Sequence, residues 1–376
     1  MWKSRRREAP DFGGAAHWAS LGDWRPNLQR MQNIRRSFAA AFPLLSALAV
    51  SVHAQPDASL ENFYKGNQIR LISEAGPGSG YTVWARLVGQ YLGGHLPGRP
   101  GIVVQSMIGA GGLVASNYMY SVAGRDGREI AALSREAPVL SLMGAPGVRY
   151  DSLKFNWLGS PTSETNVCFV GKDAPVQTVQ DLRNKQLVFG TDGAGSGMHI
   201  YPTALNALVS TKLKIIDGYS DTGVVLLAID RGEIDGACIS ATTIFQVRGD
   251  AIRAGRLRLI LQGGLAPDPR FAGVPFVLDL AANDEQRQAL RFLYSSEAFG
   301  RPYVAPPDVQ PERVAALRKA FLDTFADAEF LADAARQGFD ARPISGADMT
   351  ALIEEMARTP KPIIDRVAAL MQPGAR

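Results

Sequence analysis

Hydrophobic residues fall in two rhythms along this chain, and one stretch shows both. Ile69-Arg70-Leu71-Ile72 is a β-branched, apolar run; Glu74-Ala75-Gly76-Pro77-Gly78-Ser79-Gly80-Tyr81 follows; apolar positions then recur at Trp84, Leu87, Val88, Tyr91 and Leu92. The first run predicts a strand, and the i, i+3, i+4, i+7, i+8 spacing predicts a helix with one buried face, stopped by Gly93-Gly94. A strand, a glycine-rich loop and a helix in that order aim the free N–H groups of the first helical turn at one point, where the helix dipole adds positive potential. Such an arrangement is an anion pocket.

The rhythm repeats. Strands are predicted at 101–105 and 129–133, around the loop Ile108-Gly109-Ala110-Gly111-Gly112 and a helix from Leu113 to Tyr120. Residues 150–159 lead to a strand at 165–170. A second unit then runs through a short helix at 179–182, a strand at 186–189, the small-residue loop from Gly190 to Gly197, and a helix from about His199 to Leu208 with Pro202 in its first turn. Strands at 212–216, 234–240 and 256–261 surround a helix at 224–230 that Gly232 closes. Residues 291–305, ending in Pro306-Pro307, read as a crossover back to the first unit. Helices at 311–325, 327–337 and 346–370 complete the chain. Alternating strands and helices predict an α/β fold with mostly parallel sheets flanked by helices. Ligands bind beyond the carboxyl ends of such strands. Two matching glycine loops facing across a cleft would therefore surround one small anion.

Composition changes the picture in three places. The 376 residues carry a formal charge of +4, but residues 1–54 hold eight basic residues against three acidic ones, which leaves the remainder near −1. A nucleic-acid footprint needs a basic face on the folded domain, so no nucleic-acid partner is expected. The basic leader has its own meaning: Arg35-Arg36, an apolar span from Phe38 to Val50, and Ala54 before Gln55 form a secretory signal over 31–54. The span is short for a bilayer crossing. Residues 1–30 lack periodicity, and Met31 offers an alternative first residue. Two cysteines, Cys168 and Cys238, in an exported chain suggest a disulfide rather than a metal site, and only His95 and His199 follow the leader. No metal and no cofactor are expected.

Other chemistries fit poorly. Neither glycine loop reads Gly-x-Gly-x-x-Gly, and no Gly-Lys-Ser/Thr follows, so a nucleotide cradle fails. Ser79 and Ser196 each sit directly between two glycines rather than in Gly-x-Ser-x-Gly, although His199 lies three residues beyond Ser196. No catalytic residue is assigned. A secreted α/β hydrolase remains the alternative from another class, and a periplasmic sensor for a membrane kinase is another alternative on the same fold.

Several motifs together resemble the solute-binding proteins of tripartite tricarboxylate transporters, the Bug-type periplasmic receptors. They are Gly78-Ser79-Gly80-Tyr81 with Ala85-Arg86-Leu87; Pro100 to Gln105 running into Gly109-Ala110-Gly111-Gly112 and Asn117-Tyr118; Gly190-Thr191 through Gly195-Ser196; Gly218-Tyr219 with Arg231-Gly232-Glu233 and Asp235-Gly236; and Ala305-Pro306-Pro307. The resemblance implies a type II periplasmic binding fold. Lobe 1 would be residues 62–167 and 293–376, lobe 2 residues 168–292, closing about the strands near Phe169 and Phe299. It implies a monomer that binds a small organic carboxylate and passes it to integral membrane transporter subunits. Carried over residue by residue, the ligand set is Gly78, Ser79, Gly80, Tyr81 and Thr82 from one lobe and Thr191, Gly195, Ser196 and Gly197 from the other. Arg135, after the third predicted strand, is either a cleft cation or a surface residue paired with Glu136 or Asp126. Trp84 lies on the core stripe of its helix. The fold would also make the strands of Cys168 and Cys238 neighbours, so that a disulfide closes a loop of roughly seventy residues. The chain departs from the family where it has Thr82, Gly197 and no acidic group near Val224. Losing those acceptors implies an anionic ligand without an ammonium group.

Overall fold

The computed structural model describes residues 58–370; the leader and signal segment expected at 1–54 lie outside the described residues. A short helix α1 (Ala58–Tyr64) precedes β1 (Gln68–Ser73), α2 (Gly80–Leu92), β2 (Gly101–Ser106), α3 (Leu113–Ser121), β3 (Glu129–Ala132), α4 (Ala137–Met143) and β4 (Asn156–Ser160). The chain then enters a second lobe with β5 (Asn166–Gly171), β6 (Leu187–Gly190), α5 (Gly197–Val209), β7 (Leu213–Ile216), α6 (Thr222–Asp230), β8 (Gly236–Ser240), α7 (Ala241–Arg253), β9 (Leu257–Gly263) and α8 (Asp284–Tyr294). It returns through β10 (Tyr303–Ala305), α9 (Pro311–Thr324), α10 (Ala328–Arg336), β11 (Ile344–Ser345), α11 (Gly346–Ala357) and α12 (Lys361–Leu370).

One sheet has the strand order β11-β4-β10-β3-β1-β2 and the other β7-β6-β8-β5-β9. In each sheet most strands run the same way, four of six in the first and four of five in the second, with antiparallel strands set among them. β2, β1 and β3 are parallel, as are β7, β6 and β8, whereas β10 runs antiparallel to β3 and β4, and β5 antiparallel to β8 and β9. The reason is geometric. β1, β3, β6 and β8 end at the cleft, so a strand that enters its lobe from the waist begins at that same end and must run away from it. The waist consists of residues 161–165 and 300–302, so the lobe limit expected at 167/168 falls inside β5, and Phe169 lies mid-strand.

Three further readings change. Helix α5 begins two residues before the expected start, which places Pro202 inside it, where its ring removes the N–H that would reach the Met198 carbonyl. The single helix expected at 346–370 is two, because Pro360 disfavours the helical conformation for Thr359. The segment 291–305 is the end of α8, a short 3-10 turn and β10 rather than a plain crossover.

Behind the outer face of the first sheet, Trp84 packs on Phe339 at 4.3 Å between ring centres, with Phe321, Phe325 and Phe330 around it. A second apolar layer joins the lobes: Ile72, Leu133 and Trp157 of one belong to the same cluster as Leu187, Tyr201 and Leu293 of the other, with Ile363 and Val367 of α12 among them. Cys168 and Cys238 face each other across β5 and β8, with Cα atoms 3.9 Å apart, and are bonded as a disulfide buried beneath the cleft.

Candidate functional site

The loops after β1, β2, β3, β6, β7 and β8 line one cavity of about 260 Å³. Lobe 1 contributes Glu74 after β1, Ser79, Gly80 and Tyr81 at the start of α2, Gly109, Gly111 and Gly112 before α3, and Ser134, Arg135 and Glu136 after β3. Lobe 2 contributes Asp192, Ser196 and Gly197 after β6, residues 218–222 after β7, and Ser240 and Thr243 after β8. Asn166 and Arg301 rise from the waist.

The glycine loop at 109–112, and not the one at 76–80 that the sequence pairs with it, meets the 190–197 loop of lobe 2 backbone to backbone; Gly76 lies instead against Asp221. A Cβ built on Gly195 would stand 2.5 Å from the Ala110 carbonyl oxygen and 2.7 Å from that of Gly111, and one on Gly111 would stand 2.5 Å from the Ser196 nitrogen. Those distances describe lobes in the closed arrangement, and they give the small-residue loops a reason: any side chain would hold them apart.

The helix termini differ. Ser79 caps α2 by accepting from the Tyr81 N–H. Ser196 does not cap α5; its hydroxyl donates to Asp192 and to the Gly193 carbonyl. The Arg301 guanidinium lies so close to the first turn of α2 that a Cβ on Gly80 would stand 2.7 Å from its Nη2. A guanidinium and a helix N-terminus side by side are an anion subsite.

The floor is a network of buried charges. Arg135 Nη1 donates to Glu297 Oε2 at 3.0 Å, and its Nε stands 3.4 Å from Glu136 Oε1. Arg301 pairs with Glu164 at 3.2 Å and donates to Thr243 Oγ1 at 3.0 Å, while Ser240 and Thr242 donate to the same Glu164. The Tyr201 hydroxyl donates to Glu297, and the Arg301 and Arg135 guanidiniums both lie over the Tyr81 ring, 4.8 Å and 5.8 Å from its centre. The two waist segments are themselves joined by a bond from the Glu164 N–H to the Glu297 carbonyl at 2.8 Å.

Burial raises the carboxyl pKa values here. Glu297 is pushed up to about 7 by burial, against the pull of Arg135. Asp192 is pushed up to about 6 by burial, against its bond from Ser196. Glu74 is held well above the carboxylate range by burial, with the charges of Glu136 and Asp192 adding to it. For Arg135, burial opposes the charge but Glu297, Tyr81 and Glu136 outweigh it, so the guanidinium stays ionised.

Of the residues assigned from the sequence, Ser79, Gly80, Tyr81, Arg135, Ser196 and Gly197 line the cavity together. Thr82 sits behind the wall, its hydroxyl donating to the Ala75 carbonyl and bonded to Ser73. Thr191 is also behind, tying Asp217 to the Gly193 N–H. Gly195 shapes the meeting of the loops rather than the cavity wall, and a Cβ on Gly78 would stand 4.0 Å from Asp221 Oδ1. Arg135 is 6% exposed and pairs with Glu297, whereas Asp126 takes Arg128. The sequence reading missed Arg301, Asn166, Asp192 and, above all, the acidic set. Asp221, the N-cap of α6, supplies the group thought absent near Val224, and Glu74 and Glu136 add carboxylates from lobe 1. The premise behind a ligand without an ammonium group therefore fails. Glu74 was visible as a charged residue at the end of an apolar strand, a position that faces the cleft.

Residues 157–343 match the family described as ABC transporter, phosphonate, periplasmic substrate-binding protein. Over 252 residues the chain is 27% identical to a UPF0065 protein of Bordetella bronchiseptica, covering 66% of this chain and 70% of that one. Among solved structures it is similar to the periplasmic binding protein BugD, with a TM-score of 0.63 and 16% identity over 81% of this chain and 98% of that one. It is also similar to MatC from Rhodopseudomonas palustris with bound malate, at 0.62 and 17% over 81% and 99%. The fold is thus that of the two-lobed periplasmic solute-binding proteins. BugD and MatC share that fold with this chain.

Proposed function

We propose that this chain is an exported, monomeric receptor that captures a small organic carboxylate in the cleft and delivers it to a tripartite tricarboxylate-type membrane transporter. One observation carries the reading: the glycine loops of two lobes close over a single cavity whose far wall holds Arg301 against the start of α2. The malate bound to MatC and the adipate bound to a further similar R. palustris protein support the ligand class. A ligand that touches both loops stabilises the closed arrangement over the open one by its differential affinity, and closure is the signal a transporter reads. Residues 161–165 and 300–302 are the segments about which the lobes move.

A hydrolase would need His199 to activate Ser196. Instead His199 Nδ1 faces Asp217 Oδ1 at 2.7 Å and the Ser196 hydroxyl donates to Asp192. Among the described residues no helix is long and apolar enough to cross a membrane.

Thermal shift against a panel of mono- and dicarboxylates, with phosphonates beside them, tests the reading. A carboxylate should raise the midpoint in proportion to the logarithm of its concentration above Kd, and ester turnover should be absent. No shift with any carboxylate, or a shift with phosphonates alone, would sink it.

A further inference from the structure

The positive features of the cleft are already matched by the protein's own carboxylates. Glu297 and Glu136 flank Arg135, and Glu164 pairs with Arg301. Glu136 also lies against the first turn of α5, since a Cβ on Gly197 would stand 2.5 Å from its Oε1. Among the described residues no salt bridge holds the remaining acidic groups, Asp192, Asp221 and Glu74. Asp192 receives the Ser196 hydroxyl, and Asp221 the Val224 N–H of its own helix. Glu74, 6% exposed and on the cavity wall, has an Oε2 with no hydrogen-bond partner. A second acceptor on the same wall, Asn166 Oδ1, is buried and unpartnered as well. Acceptors buried without a donor are costly, and a purely anionic guest brings no donor to meet them.

From this arrangement we infer that the ligand is a small zwitterion, a carboxylate that also carries an ammonium group, with Glu74 as the acceptor that selects the amine. The carboxylate goes to Arg301 and the start of α2, and the ammonium faces the Glu74 side, where Asp192 and Glu136 add negative potential. The inference rests on the carboxylate-receptor reading above and deepens it.

Calorimetry on the full mature chain with matched pairs, aspartate against succinate, glutamate against glutarate and alanine against propionate, tests it at pH 7.5. The amino member of the best pair should bind at least about tenfold more tightly, and Glu74→Gln should bring that ratio to within about threefold. The wild-type ratio stands on its own whether or not the variant folds. Tighter binding of the des-amino members, with proton uptake revealed by buffers of different ionisation enthalpy, would mean that the carboxyls accept protons rather than an amine; the zwitterion would then be wrong and the receptor reading intact. An unchanged ratio in Glu74→Gln would also overturn the assignment. Failure of every member to bind would overturn both readings.

Discussion

Closure of the lobes over the ligand can be tested at Gly195. Its backbone is not in the left-handed region, so alanine is tolerated by the local chain, and the methyl matters only when the lobes meet. In the closed arrangement that methyl would stand 2.5 Å and 2.7 Å from two carbonyl oxygens of the opposite loop and 3.0 Å from Leu113 Cγ. Ordinary contact begins near 3.4 Å, and backbone carbonyls on a loop packed against another loop have little room to retreat. Overpacking of this kind costs about 1–3 kcal/mol. Because the penalty falls on the closed state alone, it appears in affinity, as a roughly 5- to 150-fold rise in Kd. Calorimetry with the best ligand from the carboxylate panel measures the loss, and small-angle scattering should show Gly195→Ala less compact with ligand than the wild type. Gly94→Ala, where a methyl meets nothing within 4 Å, serves as the control and should bind normally. Wild-type affinity and compactness in Gly195→Ala would mean that the two loops do not meet around the ligand, and the mechanism would be wrong.

Other expectations follow from the same geometry. Asp192 has its pKa raised from the ordinary 3.8 to about 6. Its stabilising contribution is thus complete below about pH 4 and is lost as pH rises through about 6. Asp192→Asn, which keeps an acceptor for Ser196, should match the wild type in urea melts near pH 4 and exceed it by up to about 3 kcal/mol at pH 7.5; a difference that does not grow with pH would refute the assignment. Replacing Cys168 and Cys238 together by serine should cost about 2–4 kcal/mol, read from denaturant midpoints, with little change in ligand selectivity. Trp84→Ala, which empties a site packed by Phe325 and Phe339, should cost about 3–5 kcal/mol while the surviving folded fraction binds with wild-type Kd. At the waist, a methyl on Gly300 would stand 1.9 Å from the Thr162 carbonyl oxygen on a residue with φ of +55°. Gly300→Ala should therefore lower both the melting temperature and the affinity, and normal values for both would argue against a tight pairing of the two crossings.

Local pattern alone determined much of this protein. The strand, glycine loop and helix from Ile69 to Leu92 and the second unit from Leu187 to Val209 were legible because apolar periodicity and glycine punctuation act over a few residues. Pairing of Cys168 with Cys238 followed from the family resemblance. What the pattern did not determine lies where distant segments meet. Whether β5 and β10 run antiparallel depends on which end of the sheet the chain enters, a property of the path between lobes rather than of the strand. Helix α8 carries charges at Asp284, Glu285, Arg287 and Arg291, and its apolar side has meaning only against α5 and α12. The carboxylates that hold the cleft guanidiniums, Glu297 for Arg135 and Glu164 for Arg301, stand more than a hundred positions away, and the unpartnered Glu74 Oε2 lies against Gly112 of another loop. Residue identity decides which groups can donate or accept. Burial and juxtaposition, which need the whole fold, decide which of them remain unmatched and so what the cleft will hold.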